Sequence, residues 1–253
     1  MSQSLQTRAF ILPSLITVIG LFSGFLSIIS SIKGNYEMSV KYIALAFVFD
    51  GLDGRVARKL NAASPFGREF DSLCDLVAFG VAPAILIWEW MFRATFDEFG
   101  VLVAFLFIAA GATRLARFNI ATTSEPKSYF QGLPVPAAAA GLASLVYSFP
   151  LIDHSMFISV LVLVYMVFLS GLMVSTFRFT SFKRLSIKDV DHRKVLLGLS
   201  LLVACIWKFD RVAVFLVLFI YILSAPYMYF FKKKEVALDS ESSTENSEAG
   251  EKT

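Results

Sequence analysis

The chain has 253 residues, 57% of them hydrophobic and only 17% Asp, Glu, Lys or Arg, with a mean hydropathy of +0.68. Soluble domains carry about a quarter charged residues, so this composition excludes a single water-facing globule. The net charge of +3 does not signal nucleic acid, because the basic residues fall at the ends of apolar segments, where anionic lipid headgroups are the nearer partner.

A short polar N-terminus, residues 1–10, precedes a first apolar run at 11–32. That run exceeds the roughly 7–15 apolar residues of a signal-peptide core and no convincing cleavage site follows, so it reads as a retained membrane span. Further runs at 38–57, 71–92, 99–116, 135–149, 156–174, 195–207 and 212–231 approach the about 20 residues that a spanning helix needs. They are continuous rather than alternating, which predicts helices and not a barrel. The expected fold is all-α, a polytopic membrane helix bundle of about eight transmembrane helices forming one domain over residues 11–232. Residues 233–253 are polar, hold six acids and bury too little apolar surface to order themselves, so they read as a disordered acidic tail. With eight spans, 18 of the 23 Lys and Arg fall on the side that holds both termini, which predicts that this side is cytoplasmic. The longest connections, 121–134 and 177–194, lie on that side too. Cys74 and Cys205 sit in apolar segments without CxxC spacing, which argues against a disulfide framework or a zinc site and for small packing residues.

Only 14 of the 20 acids precede the tail, and four of these are aspartates in two neighbouring predicted helices. An aspartate at the centre of a spanning helix costs about 2.5–3.5 kcal/mol, so four together need a reason. Asp50 and Asp53 are three apart, Asp71 and Asp75 four apart, and each pair therefore shares one helical face. The short connection at 59–66, with Pro65 near its end, makes the two helices antiparallel neighbours and sets both pairs at similar depth. Four carboxylates would converge on one small volume, where they cannot all stay ionised without cations. Arg55, Arg58 and Arg68 could compensate them in a purely structural ion-pair network. Hard divalent ions with oxygen ligands, Mg²⁺ or Mn²⁺, fit better, and two ions would balance four aspartates. Such two-ion carboxylate sites serve in-line displacement at phosphorus.

The string Asp50-x2-Asp53-Gly54-x2-Ala57-Arg58-x8-Gly67-x3-Asp71-x3-Asp75 resembles the signature of the CDP-alcohol phosphatidyltransferase family, with every signature position present at the family's spacing. The resemblance implies a six-helix catalytic core and transfer of a phosphatidyl group from a CDP-linked lipid to an alcohol, with release of CMP. It also implies Asp50, Asp53 and Asp71 as metal ligands, and Asp75 as catalytic base and further ligand. Gly54, Ala57, Arg58 and Gly67 would lie at the CDP-lipid site. The flanking segments 70–73, 77–84, 114–119 and 130–137 are similar to the branch that uses CDP-diacylglycerol and L-serine. That branch implies a homodimer assisted by the final two helices, in the inner membrane of a bacterium. Ser14 departs from the pattern, since many relatives carry Asn there.

A serine acceptor brings a carboxylate, for which guanidinium groups are suitable partners. Arg114 and Arg117 are three apart and Asn119 follows, which makes them candidate serine ligands, with membrane-edge anchoring as the other reading of the two arginines. Arg178 and Lys183 read as anchors. Relatives that use glycerol 3-phosphate, an inositol compound or choline would share the aspartates. A phosphorylated acceptor would need an added basic cluster, and choline would favour aromatic faces. A divalent-cation transporter could also carry intramembrane aspartates, but it would not require Arg58 and Gly67 at these spacings. Trp88, Glu89 and Trp90 read as interfacial, His154 and His192 as exposed loop residues, and Gly20, Gly24, Gly141 and Gly171 as close-packing positions between helices.

Overall fold

The computed structural model describes residues 3–60, 64–121, 130–179 and 211–224. Helices α1 (Gln3–Ile32) and α2 (Tyr36–Lys59) form an antiparallel hairpin. Gly34 takes a φ of +74° at the reversal, a conformation that glycine adopts without steric cost. Asn35 then caps α2, its side-chain oxygen accepting from the Met38 N–H at 3.3 Å. The hairpin is held by hydroxyls as well as by small residues. Ser39 Oγ lies 2.7 Å from Ser27 Oγ and 2.8 Å from Ser31 Oγ, and all three serines are fully buried. Within lipid, apolar contact alone gives helices little reason to associate, so mutually satisfied hydroxyls and close approach carry the packing.

Helix α3 (Pro65–Phe92) starts on Ser64, whose hydroxyl accepts from the Gly67 N–H at 3.0 Å while Pro65 takes the first helical position. The helix widens twice, over Leu76–Val81 and Trp88–Phe92, where the backbone bonds reach five residues back instead of four. The first wide stretch leads into Pro83, which lacks an N–H and whose ring conflicts with a regular ladder. From the first wide turn onward, Phe79, Leu86, Trp90 and Phe92 are fully buried and make α3 the central helix. Helices α4 (Asp97–Ala121) and α6 (Met156–Val174) pack against each other, and α1, α4 and α5 (Val135–Ser148) all touch the wide turn of α3. In α7 (Arg211–Ser224) the Phe215 ring lies 5.9 Å from that of Phe149 and 6.1 Å from that of Tyr165. One face of this late helix, expected to assist a dimer, is thus used inside the chain. A two-residue antiparallel pairing, β1 (Phe130–Gln131) with β2 (Arg178–Phe179), is the only strand structure among the described residues.

The expectation of about eight transmembrane helices is corrected by this structure. Among the described residues, four helices are long and apolar enough to cross a membrane: Pro13–Ile32, Pro65–Phe92, Asp97–Ile120 and Met156–Val174. The fold is an all-α, membrane-associated bundle. Helix α2 is long enough, but Glu37, Lys41, Asp50, Asp53, Arg55, Arg58 and Lys59 make it too polar. Helix α5 has 14 residues, and at 1.5 Å per residue about 21 Å of helix falls short of a hydrocarbon core of about 30 Å; of the expected span at 212–231 only residues up to Ser224 are among the described ones, as part of the apolar helix α7. The predicted span at 195–207 lies outside the described residues, as do Cys205, His192 and the tail. The side-by-side tally of basic residues rested on eight spans and falls with them. Contact with lipid is nonetheless written on the surface: α1 exposes Leu15, Phe22 and Phe25, α4 exposes Leu102 and Phe105, and α6 exposes Phe157, Leu161 and Val164. Water-facing proteins rarely carry apolar patches of this extent.

The predicted packing glycines divide. A Cβ on Gly24 would lie 2.7 Å from Ala78 Cα, and one on Gly141 2.7 Å from the Tyr165 hydroxyl, so both permit close approach. Gly20 is in ordinary contact with Phe49, whereas Gly171 faces open space among the described residues. Trp90 faces the core instead of an interface, while Trp88 donates to Asp97 at 3.1 Å and Arg93 both covers Trp88 and pairs with Glu89 at 2.7 Å. His154 is exposed.

Candidate active site

The helical periods of α2 and α3 bring the aspartates together. Asp50 and Asp53 lie one turn apart on α2, and α3 runs back alongside it. The Phe47 and Phe79 rings meet at 4.5 Å on the inner side of the same contact. Moving inward, the α2 number falls as the α3 number rises, which is the signature of the predicted antiparallel register. Asp50, Asp53 and Asp71 each place a carboxylate oxygen within 4.8 Å of the others. Asp75 lines the same narrow pocket, together with Thr17, Gly20 and Leu21 of α1, Ala46 of α2, and Cys74, Ala78 and Phe79 of α3. Cys74 is buried.

Three carboxylate oxygens at this separation, in an apolar surround, repel one another strongly in a low dielectric. The arrangement is costly without a cation and well suited to one. The donors are all hard oxygens, the preference of Mg²⁺, Ca²⁺ and Mn²⁺ and not of softer metals. The acidic triad is capable of coordinating a divalent metal.

Asp53 is the most enclosed of the four, 5% exposed. Its Oδ2 accepts a hydrogen bond from Thr17 Oγ1 at 2.7 Å. Thr17 was not foreseen, because a threonine in an apolar helix carries no local sign of which neighbour it will face. Arg58 sits one turn beyond Gly54, and a Cβ on Gly54 would lie 3.6 Å from the Arg58 guanidinium. Gly54, Ala57 and Arg58 thus continue the aspartate face toward the end of α2, with Arg58 exposed and Ala57 half-buried. Gly67 stands in the first turn of α3, where a side chain would crowd the Ser64 cap at 3.1 Å.

The three candidate serine ligands separate. Arg114 is 8% exposed, lies over the Phe118 ring at 5.3 Å and is electrostatically coupled to Asp75, which joins it to the aspartate site. Arg117 donates to the Val174 carbonyl at 2.7 Å, tying α4 to the end of α6. The Asn119 amide donates to Glu69 Oε2 at 2.9 Å and lies 3.0 Å from Ser72 Oγ, tying α4 to the start of α3. Glu69 and Ser72 were also not foreseen, although both sit within the aspartate motif.

The sequence profile of the CDP-alcohol phosphatidyltransferase family matches residues 10–169, and the chain belongs to that family. The match spans α1 to α6 and includes every aspartate of the pocket. A CDP-diacylglycerol–serine O-phosphatidyltransferase of Helicobacter pylori strain 26695 is 40% identical over 181 residues, covering 69% of this chain and 74% of that protein. The protein of the same name from Bacillus subtilis is 35% identical over 180 residues, covering 71% of this chain and 96% of its own length. An archaetidylserine synthase of Methanothermobacter thermautotrophicus is 41% identical over 140 residues, or 54% of this chain and 58% of that protein.

Proposed function

We propose that this protein is a phosphatidylserine synthase, which transfers the phosphatidyl group of CDP-diacylglycerol to the hydroxyl of L-serine and releases CMP. The observation that carries the proposal is the convergence of Asp50, Asp53 and Asp71 within 4.8 Å, inside the segment that matches the family, in a chain similar to proteins named CDP-diacylglycerol–serine O-phosphatidyltransferase.

Asp50, Asp53 and Asp71 hold divalent metal, Mg²⁺ or Mn²⁺, and with Asp75 supply enough charge for two ions. Bound metal polarises the phosphoryl oxygens and stabilises the CMP leaving group. Asp75 takes the proton of the serine hydroxyl as its oxygen bonds to the phosphatidyl phosphorus and the bond from that phosphorus to CMP breaks. Gly54 and Ala57 leave room for the nucleotide beside α2, Arg58 engages its phosphates, and Gly67 keeps the mouth of the pocket open at the start of α3. Arg114 receives the serine carboxylate. Arg117 and Asn119, whose polar groups bind α6 and α3, act by holding Arg114's helix in place. Arg55, Arg58, Lys59 and Arg68 flank the aspartate end of α2 and α3, and the preference of basic residues for the cytoplasm supports an active site on the cytoplasmic face of a bacterial inner membrane.

The test is CMP release by purified protein given CDP-diacylglycerol, Mg²⁺ or Mn²⁺, and one alcohol at a time. Release with serine alone is expected. Release with glycerol 3-phosphate or an inositol compound and none with serine would overturn the assignment.

A further inference from the structure

We infer that Thr17 is a positioning residue for the metal site, its hydroxyl fixing the carboxylate of Asp53 from the neighbouring helix; the inference rests on the proposed metal-dependent function. Asp53 is the most buried of the four aspartates. Thr17 Oγ1 meets its Oδ2 at 2.7 Å, the length of a hydroxyl hydrogen bond to a charged carboxylate. Thr17 itself is buried and lines the aspartate pocket.

The choice of threonine is physically specific. In a helix, threonine divides between two rotamers because its hydroxyl can reach the carbonyl one turn back. Thr17 Oγ1 lies 3.0 Å from the Pro13 carbonyl as well as 2.7 Å from Asp53. One rotamer therefore sets the hydroxyl within reach of both oxygens, and its single proton favours the nearer and charged acceptor, the Asp53 carboxylate. A carboxylate beside a metal is oriented by the hydrogen bond it receives, and losing such partners commonly costs about 10–100-fold in metal affinity or activity. The register of the hairpin is set elsewhere, by the Ser27, Ser31 and Ser39 hydroxyls, so the Thr17 contact is not required to join α1 to α2.

The test is Mn²⁺ binding to the full-length purified protein without substrate, read as free Mn²⁺ by electron paramagnetic resonance. Thr17→Val keeps the shape and removes the hydroxyl, and it is expected to weaken Mn²⁺ binding about tenfold or more. Thr17→Ser is expected to restore most of the affinity. Ser23→Ala removes a hydroxyl that bonds its own helix at 2.9 Å without reaching an aspartate, and should bind Mn²⁺ as the unmodified protein does. Melting in EDTA checks the fold of each variant, and Thr17→Ala replaces the valine variant if that one does not fold. Equal, tight binding by the unmodified protein and the hydroxyl-free variant would overturn this inference alone. Absence of Mn²⁺ binding in the unmodified protein would overturn the metal reading and this inference with it.

Discussion

Gly24 gives the sharpest test of how the bundle holds its site. The residue faces Ala78 at the crossing of α1 and α3, and a Cβ placed on it would lie 2.7 Å from Ala78 Cα, 2.9 Å from Ala78 Cβ and 3.3 Å from the Ala78 nitrogen. Carbon atoms in ordinary contact stand about 3.5–4.0 Å apart, so Gly24→Ala requires the two helices to part by roughly 1 Å. The obstacle is backbone, and no side chain can swing aside to absorb the change. Overpacking of this kind typically costs about 1–3 kcal/mol. Thr17 and Gly20 line the pocket from the same helix, and Thr17 lies only about 10 Å along it. A shift of about 1 Å in reacting groups can cost on the order of 100-fold in rate. Gly24→Ala is therefore expected to lower the melting midpoint, followed by tryptophan fluorescence, and to cut CMP release by tenfold or more. Gly171→Ala is the control, because a Cβ there meets open space among the described residues and alanine is the better helix former. Identical melting and turnover for the two variants would refute the close α1–α3 crossing.

Asp75→Asn should reduce turnover by about 10²–10⁴-fold, the usual worth of a general base, while CDP-diacylglycerol binding persists; near-normal turnover would exclude Asp75 as the base. Excess EDTA should abolish CMP release and added Mg²⁺ or Mn²⁺ should restore it, whereas activity that survives chelation would contradict a metal held by Asp50, Asp53 and Asp71. Arg114→Met should raise the KM for serine about tenfold or more, as expected when a charged hydrogen bond worth about 1.5–3 kcal/mol is lost, with little change in the KM for the CDP-lipid. A parallel rise for both substrates would instead give Arg114 a general structural role. Gly132 has a φ of +76° and its added Cβ would press on the Met173 carbonyl, so Gly132→Ala should destabilise the protein by at least the about 1–2 kcal/mol of a left-handed residue, measured as a lowered melting midpoint.

The aspartate site was legible because its information is local. A spacing of three on one helix and four on the next, across a connection too short to allow anything but a return, fixes which faces meet. No contact from a distant segment is needed to make Asp50, Asp53 and Asp71 converge. Thr17 was hidden for the opposite reason. Its partner lies 36 residues away, and that pairing depends on the register of the whole α1–α2 hairpin, which the Gly34–Asn35 turn and three buried serines establish together. Asn119 was visible as a polar residue near the site, but its attachment to Glu69 and Ser72 follows from where α4 crosses α3, which no local spacing encodes.

The number of spans failed on a different distinction, that between apolar content and apolar helix length. Residues 135–149 are as apolar as a span, yet Pro134 precedes the helix and Pro150 follows it, and between them α5 has only 14 residues. Ten of those fourteen are buried by protein, so its hydrophobicity is accounted for by neighbours without any need for lipid. Helix α2 fails in the reverse sense, being long but carrying the charges that make the site. The protein therefore keeps Asp50 and Asp53 on a helix too polar to count as a span, beside α1, while Asp71 and Asp75 stand near the start of α3, a helix apolar enough to cross the membrane. Apolar neighbours raise the cost of burying these charges, so the convergence of the repelling carboxylates in one pocket is best explained by a divalent cation that offsets both desolvation and repulsion there.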